Sequence, residues 1–281
     1  MISFGMSDKP SVRPQEYDER YYLENCGGSE FFHLYGPQVL KPQLAYVLSR
    51  SGIIPGMRVL DLGCGRGEML LHIRRRGATG IGTDYAEPAL VIAARVSDCP
   101  VLQCDAKALP FADNTFDQVL FVGVMDHLHD WELEACFREM ARVLRPGGQV
   151  LIHTCCNRMY YKNWTYRVRR LFARYLKALG LSVREPSPPR SGEDEALHVN
   201  EHSGWSLRRF FRRIHWIARV EPRPNYKLCL DELYGQPLPQ GFPLTPVLGW
   251  KRRAYLALLW RWPLRSFLAR EFFCVAQPPA R

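Results

Sequence analysis

No apolar run in this chain is long enough to cross a bilayer: the longest, Ala254 to Trp260, falls far short of the roughly twenty residues a spanning helix needs. Nine cysteines occur without a C-x-x-C pair, so they read as free thiols, and the lack of a secretory leader favours a reducing, cytoplasmic setting. The string G-x-x-x-x-G-K-[ST] is absent, which excludes a P-loop. Internal repeats are absent too, which excludes a repeat array. What is present is a chain of 281 residues, 47% hydrophobic, enough to bury a substantial core in one or two domains.

The most informative stretch is VLDLGCGRGE, Val59 to Glu68. Val59, Leu60 and Leu62 read as a buried parallel strand that runs into Gly63, Gly65 and Gly67, where the backbone can turn sharply and approach a ligand without Cβ interference. A helix starts near Glu68 and aims its first N–H groups into the same crevice. A dinucleotide fingerprint reads G-x-G-x-x-G, whereas the glycines here read G-x-G-x-G with Asp61 two positions ahead. On these residues the chain resembles the class I S-adenosylmethionine-dependent methyltransferases, of the small-molecule type with a methyltransferase-11/25-like core, whose first motif is D/E-x-G-x-G-x-G.

Further signals follow at doubly wound intervals. A second strand, Gly80 to Thr83, ends in Asp84, where an acid would accept from a ribose diol. A third, Val101 to Gln103, ends at Cys104-Asp105-Ala106; a fourth, Phe116 to Val122, is entered through PFADNTFD and leaves through GVMDHL. A helix from Trp131 to Leu144, an RPGG stop and turn at Arg145 to Gly148, and a fifth strand from Gln149 to Thr154 complete the core, with Trp216 to Val220 and Phe272 to Ala276 as the last strands. The fold class that follows is α/β: a Rossmann-like doubly wound seven-stranded sheet, mostly parallel with an antiparallel last strand, plus N-terminal lid helices and helical insertions in the C-terminal half. Residues 1–16 read as a flexible N-terminus and 17–281 as a single domain. Within it, 17–52 are lid helices, 53–156 the cofactor-binding core and 157–281 the acceptor-side half.

The resemblance implies S-adenosylmethionine as cofactor. It implies contacts from Asp61, Gly63, Cys64, Gly65 and Gly67 in the loop, Asp84 and Tyr85 after the second strand, Asp105 and Ala106 at the adenine, and Val122, Gly123 and His127 at the end of the fourth strand. His127, with Asp126 positioning it, is the candidate base, although its ring could equally hold a backbone carbonyl. His198 and His202 are further catalytic candidates, with Asn200 between them facing the acceptor. Tyr17, Tyr21 and Tyr22 are candidates for a lid over the acceptor, or else aromatic staples of a helix, Pro37 to Ser51, to the sheet. The string H-x-x-E-H from His198 to His202 matches an inverted zincin pattern. Ser203-Gly204 interrupts it, and Ser206 reads as an N-cap for the next helix, so no metal is assigned.

The net charge of +10 is concentrated late, in Arg158 to Arg184 around a helical insertion, Asn157 to Leu179, then in Arg208 to Arg213, and in Lys251 to Arg270. Such basic and aromatic mixtures suit RNA, an anionic membrane surface met peripherally at its inner face, or a face packed on the core. The family's N/D-P-P-Y/F tetrad is missing after the fourth strand, where Gly123-Val124-Met125-Asp126 stands, and this disfavours base-amine methylation. The expectation is therefore methyl transfer to oxygen or carbon of a small-molecule or lipid-linked metabolite, with nucleic acid ranked below it. The alternatives are an RNA methyltransferase, a noncatalytic S-adenosylmethionine-binding module, or, from a third class, a nicotinamide oxidoreductase.

Overall fold

The computed structural model describes residues 12–155, 157–186, 197–223, 257, 261 and 264–279. The first eleven residues, most of 185–196 and most of the basic stretch Lys251 to Arg270 lie outside them.

Seven strands form one sheet: β1 (Arg58–Leu62), β2 (Thr79–Asp84), β3 (Val101–Gln103), β4 (Phe116–Val122), β5 (Leu144–Thr154), β6 (Ile217–Arg223) and β7 (Glu271–Gln277). Their order is β3-β2-β1-β4-β5-β7-β6. The first five pair in parallel, and β7 runs antiparallel to both β5 and β6. The order reverses between β1 and β4, the switch point beside which open α/β sheets bind ligands at the carboxyl ends of their strands.

Period-two alternation explains how the sheet is sandwiched. Val119 and Phe121 of β4, Val150 and Ile152 of β5, and Phe272, Cys274 and Ala276 of β7 face one core layer. Leu120, Leu151 and Phe273, one residue out of phase, face the other. The first layer receives α5 (Asp130–Val143), through Phe137 and Met140, and α8 (Gly204–Arg213), through Leu207, Phe210 and Phe211. The second receives α2 (Pro42–Arg50), α3 (Glu68–Arg75) and α4 (Glu87–Ser97).

Several boundaries differ from expectation for local reasons. RPGG lies within β5 instead of before it: Phe116 pairs with Leu144 and Gln118 with Gln149, so the four residues bulge opposite Asp117 and the ladder resumes. The helix expected from Pro37 begins at Pro42, whose fixed φ suits a first helical position. Ser203 caps α8, accepting from the Ser206 amide at 3.1 Å, and Ser206 is the reciprocal partner of a capping box, not the cap itself. The insertion after β5 is two helices, α6 (Tyr161–Trp164) and α7 (Tyr166–Ala178). Before the sheet, a 3₁₀ turn (Pro14–Glu16), a π-helical turn (Tyr21–Asn25) and α1 (Ser29–Tyr35) form the N-terminal segment, and α9 (Arg265–Leu268) precedes β7.

Candidate functional site

The glycine loop leaves β1 with positive φ at Gly63, Gly65 and Gly67. Each glycine is needed for a different reason. A Cβ at Gly63 would stand 2.3 Å from Val124 Cγ2, and one at Gly67 within 3 Å of the Ala93 backbone. One at Gly65 would meet only Tyr22, at 3.9 Å, so this glycine faces the cleft. The Gly63 and Cys64 amides both donate to the Thr83 carbonyl, binding the loop to β2. The Cys64 side chain turns into the core, where burial pushes its thiol up and makes it inert.

Two buried carboxylates flank the loop. Asp61 is 2% exposed and its Oδ2 has no partner among the described residues; burial, then the charges of Asp84 and Glu68, push its carboxyl up to about 7. Asp84 is also raised by burial, against the pull of hydrogen bonds from Ala86, Gly65 and Tyr22. Its Oδ2 accepts from the Gly65 amide at 3.0 Å, and its Oδ1 from the Ala86 amide at 3.1 Å and the Tyr22 hydroxyl at 3.2 Å. Tyr22 Oη thus occupies the place expected of a ribose hydroxyl. Tyr85 is exposed and its carbonyl accepts from Gln103. Asp105 pairs with Lys107 at 3.0 Å, which also reaches Glu132 at 2.9 Å, while Ala106 packs against the core. Val122 ends β4, and the amide of Gly123 after it donates to the His153 carbonyl of β5.

A second cluster stands on the same rim. Asp126, 1% exposed, lies in a 3₁₀ turn (Met125–His127) directly after β4. Its Oδ2 is 3.1 Å from His198 Nε2, 3.3 Å from Cys155 Sγ and 3.9 Å from His127 Nε2. Burial alone would raise this carboxyl, but the His198 hydrogen bond and the two imidazoles hold it well below the usual carboxylate range. His127 Nδ1 shares a 3.0 Å hydrogen bond with the Tyr17 hydroxyl. Burial and the Asp126 charge push that phenol up, so it stays protonated.

The tyrosines link the two clusters. Tyr17 meets Tyr21 edge-on at 5.1 Å and Tyr21 meets Tyr22 at 5.2 Å, an aromatic row from His127 to Asp84 across the cleft. Arg66, inside the glycine loop, anchors this row. It is 3% exposed, pairs with Glu68 at 3.1 Å, donates to the Tyr22 carbonyl at 2.8 Å and covers Phe32 at 5.2 Å. Sequence spacing singles out neither Arg66 nor Cys155, because Tyr22 and Asp126, to which they donate, lie 44 and 29 positions away.

Among the other candidates, Asn200 ties its loop down: its amide donates to the Asp126 carbonyl and its side chain to Leu128 and Asp130. His202 is buried beside Phe210, its pKa lowered by that burial, and its Nε2 has no partner among the described residues. The two histidines of H-x-x-E-H therefore serve different surroundings. A cavity of about 720 Å³ lies beyond this loop, lined by Arg158, His202, Trp205, Arg209 and Arg213 among others.

Sheet order and glycine loop define a Rossmann-like fold of the kind that class I S-adenosylmethionine-dependent methyltransferases share. Residues 59–148 match the model of a family described as methyltransferase domain. The chain is 38% identical over 126 residues to a Mus musculus protein named probable tRNA methyltransferase 9B, covering 44% of this chain and 27% of that one. A demethylmenaquinone methyltransferase of Corynebacterium efficiens is 34% identical over 103 residues, covering 37% and 44%. The chain thus spans less than half the length of these relatives. Two solved structures share the fold at 18% identity. One is the methyltransferase component of a complex with the Haloferax volcanii Trm112 methyltransferase activator (TM-score 0.56, covering 96% of this chain and 100% of that one). The other is the [4+2]-cyclase SpnF (TM-score 0.58, covering 97% and 99%).

S-adenosylmethionine, the cofactor of this superfamily, fits the residues present. Gly65 leaves the cleft open where a Cβ would intrude, Asp61 Oδ2 is an orphaned buried acceptor, and the Asp84 carboxylate already holds a hydroxyl.

Proposed function

We propose that the chain is an S-adenosylmethionine-dependent methyltransferase acting on oxygen or carbon of a small-molecule or lipid-linked metabolite. The observation that carries this reading is the Tyr17–His127–Asp126 arrangement at the carboxyl end of β4, across the cleft from the glycine loop. When bound, the cofactor supplies an activated sulfonium methyl. The glycine loop and Asp84 would hold it, and the aromatic row would exclude water from the reacting centre.

The protonated Tyr17 phenol shares its hydrogen bond with His127 Nδ1, and the opposite ring nitrogen, Nε2, faces Asp126. An acceptor hydroxyl or acidic carbon that takes the place of Tyr17 meets Nδ1 as a base and passes its proton there. The Asp126 carboxylate then stabilises the imidazolium from the far side. Arg158, Arg209 and Arg213 with Trp205 at the neighbouring cavity suit an acceptor that combines an acidic group with an apolar body.

Calorimetric titration with S-adenosylmethionine, with Gly65→Arg as control, tests the cofactor, and a gain of ~14 Da on an incubated metabolite, the net addition of CH₂ when H is replaced by CH₃, tests transfer. Absence of binding to the wild type would sink the reading. A second reading, RNA methylation, draws on the tRNA methyltransferase relatives and on the exposed basic helix α7. Filter binding to RNA with a steep salt slope would favour it over the metabolite.

A further inference from the structure

We propose that Asp126, Cys155 and His198 form a binding site for a divalent transition metal, zinc before others, at the rim where β4 and β5 end. The sequence assigned no metal, because its only recognisable pattern was H-x-x-E-H; the structure divides that motif and joins His198 to residues from two other segments.

The site is assembled by the sheet. Val122 of β4 pairs in parallel with His153 of β5, so the residues that follow the two strands emerge side by side. Asp126 comes from the turn after β4, Cys155 directly follows β5, and His198 arrives on the loop before α8. That loop is fixed to the same turn by the Asn200 amide on the Asp126 carbonyl at 3.1 Å.

Three different ligand atoms converge. His198 Nε2 and Cys155 Sγ both approach the same carboxylate oxygen, Oδ2, at 3.1 and 3.3 Å, and all three atoms lie within 4.8 Å of one another. Ligands about 2.0–2.3 Å from a tetrahedral zinc stand about 3.3–3.6 Å apart, so an ion needs shifts of only a few tenths of an ångström on the Asp126 edges. The other carboxylate oxygen, Oδ1, accepts from Thr154 Oγ1 at 3.5 Å, as an outer partner that would orient the ligand. One thiolate, one imidazole and one carboxylate suit zinc and disfavour magnesium or calcium, which prefer oxygen throughout.

Three protein ligands leave a fourth position, the pattern of a zinc site that takes up water or substrate. His127, whose ring centroid is 4.6 Å from that of His198, stands beside it. An oxygen-bearing acceptor could fill the fourth position with its oxygen against the ion. That role rests on the oxygen-directed reading above, whereas metal binding itself does not.

The test separates the two. The full chain, stripped with a chelator, is titrated with Co²⁺ without S-adenosylmethionine. One equivalent should bind, with a thiolate-to-cobalt charge-transfer band and tetrahedral d–d bands, and Zn²⁺ should displace it. Cys155→Ser should abolish the charge-transfer band, and both it and His198→Gln should weaken binding by more than about tenfold, a lower bound set by losses at outer-shell partners. Cys99→Ser, at a thiol near Leu70, should leave the spectrum intact. A urea unfolding midpoint close to that of the wild type shows that Cys155→Ser is folded. No saturable binding by the wild type, or a band that survives Cys155→Ser, would overturn the site, even if methyl transfer were intact.

Discussion

At the scale of single residues, the glycine loop is constrained on both sides. Gly63 has φ +78° and its pro-Cβ direction points at Val124, the residue that follows β4 and Gly123. Gly63→Ala therefore adds a steric conflict with a neighbouring strand end to a left-handed backbone. A loss of about 1–3 kcal/mol of stability is expected, together with weakened S-adenosylmethionine binding, read by urea unfolding and calorimetry. Asp61 gives a prediction of different form. Its folded pKa lies above the unfolded value, so the folded state binds the extra proton. Its contribution to stability is fully present below the ordinary aspartate range and is lost as pH rises towards about 7. Asp61→Asn should flatten that decline in chemical unfolding of the cofactor-free protein between pH 4 and 7; a decline of unchanged size would remove Asp61 as its cause.

At the scale of elements, the N-terminal segment would compete with a cofactor bound at Asp84. The Tyr22 hydroxyl spends its hydrogen bond on Oδ1, and a ribose hydroxyl binding there must displace it. Hydrogen bonds to charged groups contribute about 1.5–3 kcal/mol, part of which the cofactor restores. Tyr22→Phe should therefore tighten S-adenosylmethionine by about three- to tenfold in calorimetric titration. Unchanged or weaker binding would mean that Tyr22 keeps this bond in the complex. The contrast between lid and core shows what a sequence makes legible. Val59 to Leu62, the three glycines and the acid ending β2 declare themselves locally, by apolar runs and by backbone demands at fixed spacing. The aromatics Tyr17 to Tyr22 were visible as a dense group, but not the order in which they bridge His127 to Asp84. Arg66 looked like any loop arginine; only its burial between Glu68 and the Tyr22 carbonyl reveals an anchor. RPGG misled because it has turn chemistry inside a strand that β4 and β7 keep in the sheet.

At the scale of the whole molecule, a buried polar junction ties an N-terminal helix to the sheet. Glu271 opens β7 and is 4% exposed, yet it reaches His153 of β5 at 3.1 Å and Gln43 of α2 at 3.1 Å. It thereby joins an N-terminal helix to the last strand, 228 positions away. Burial would raise this carboxyl, but the bonds and charge it receives from His153 and Gln43 lower it. The sign is therefore opposite to that of Asp61. Stability from Glu271 is present above the ordinary glutamate range and is lost as pH falls through the lowered folded value. Glu271→Gln keeps the shape of the junction and removes its charge. At neutral pH it should cost about 1–3 kcal/mol in urea unfolding, and the gap to wild type should narrow as acid protonates the native carboxylate. A gap that stays constant down to the acid transition would show that packing, not the charge on Glu271, closes the sheet onto α2.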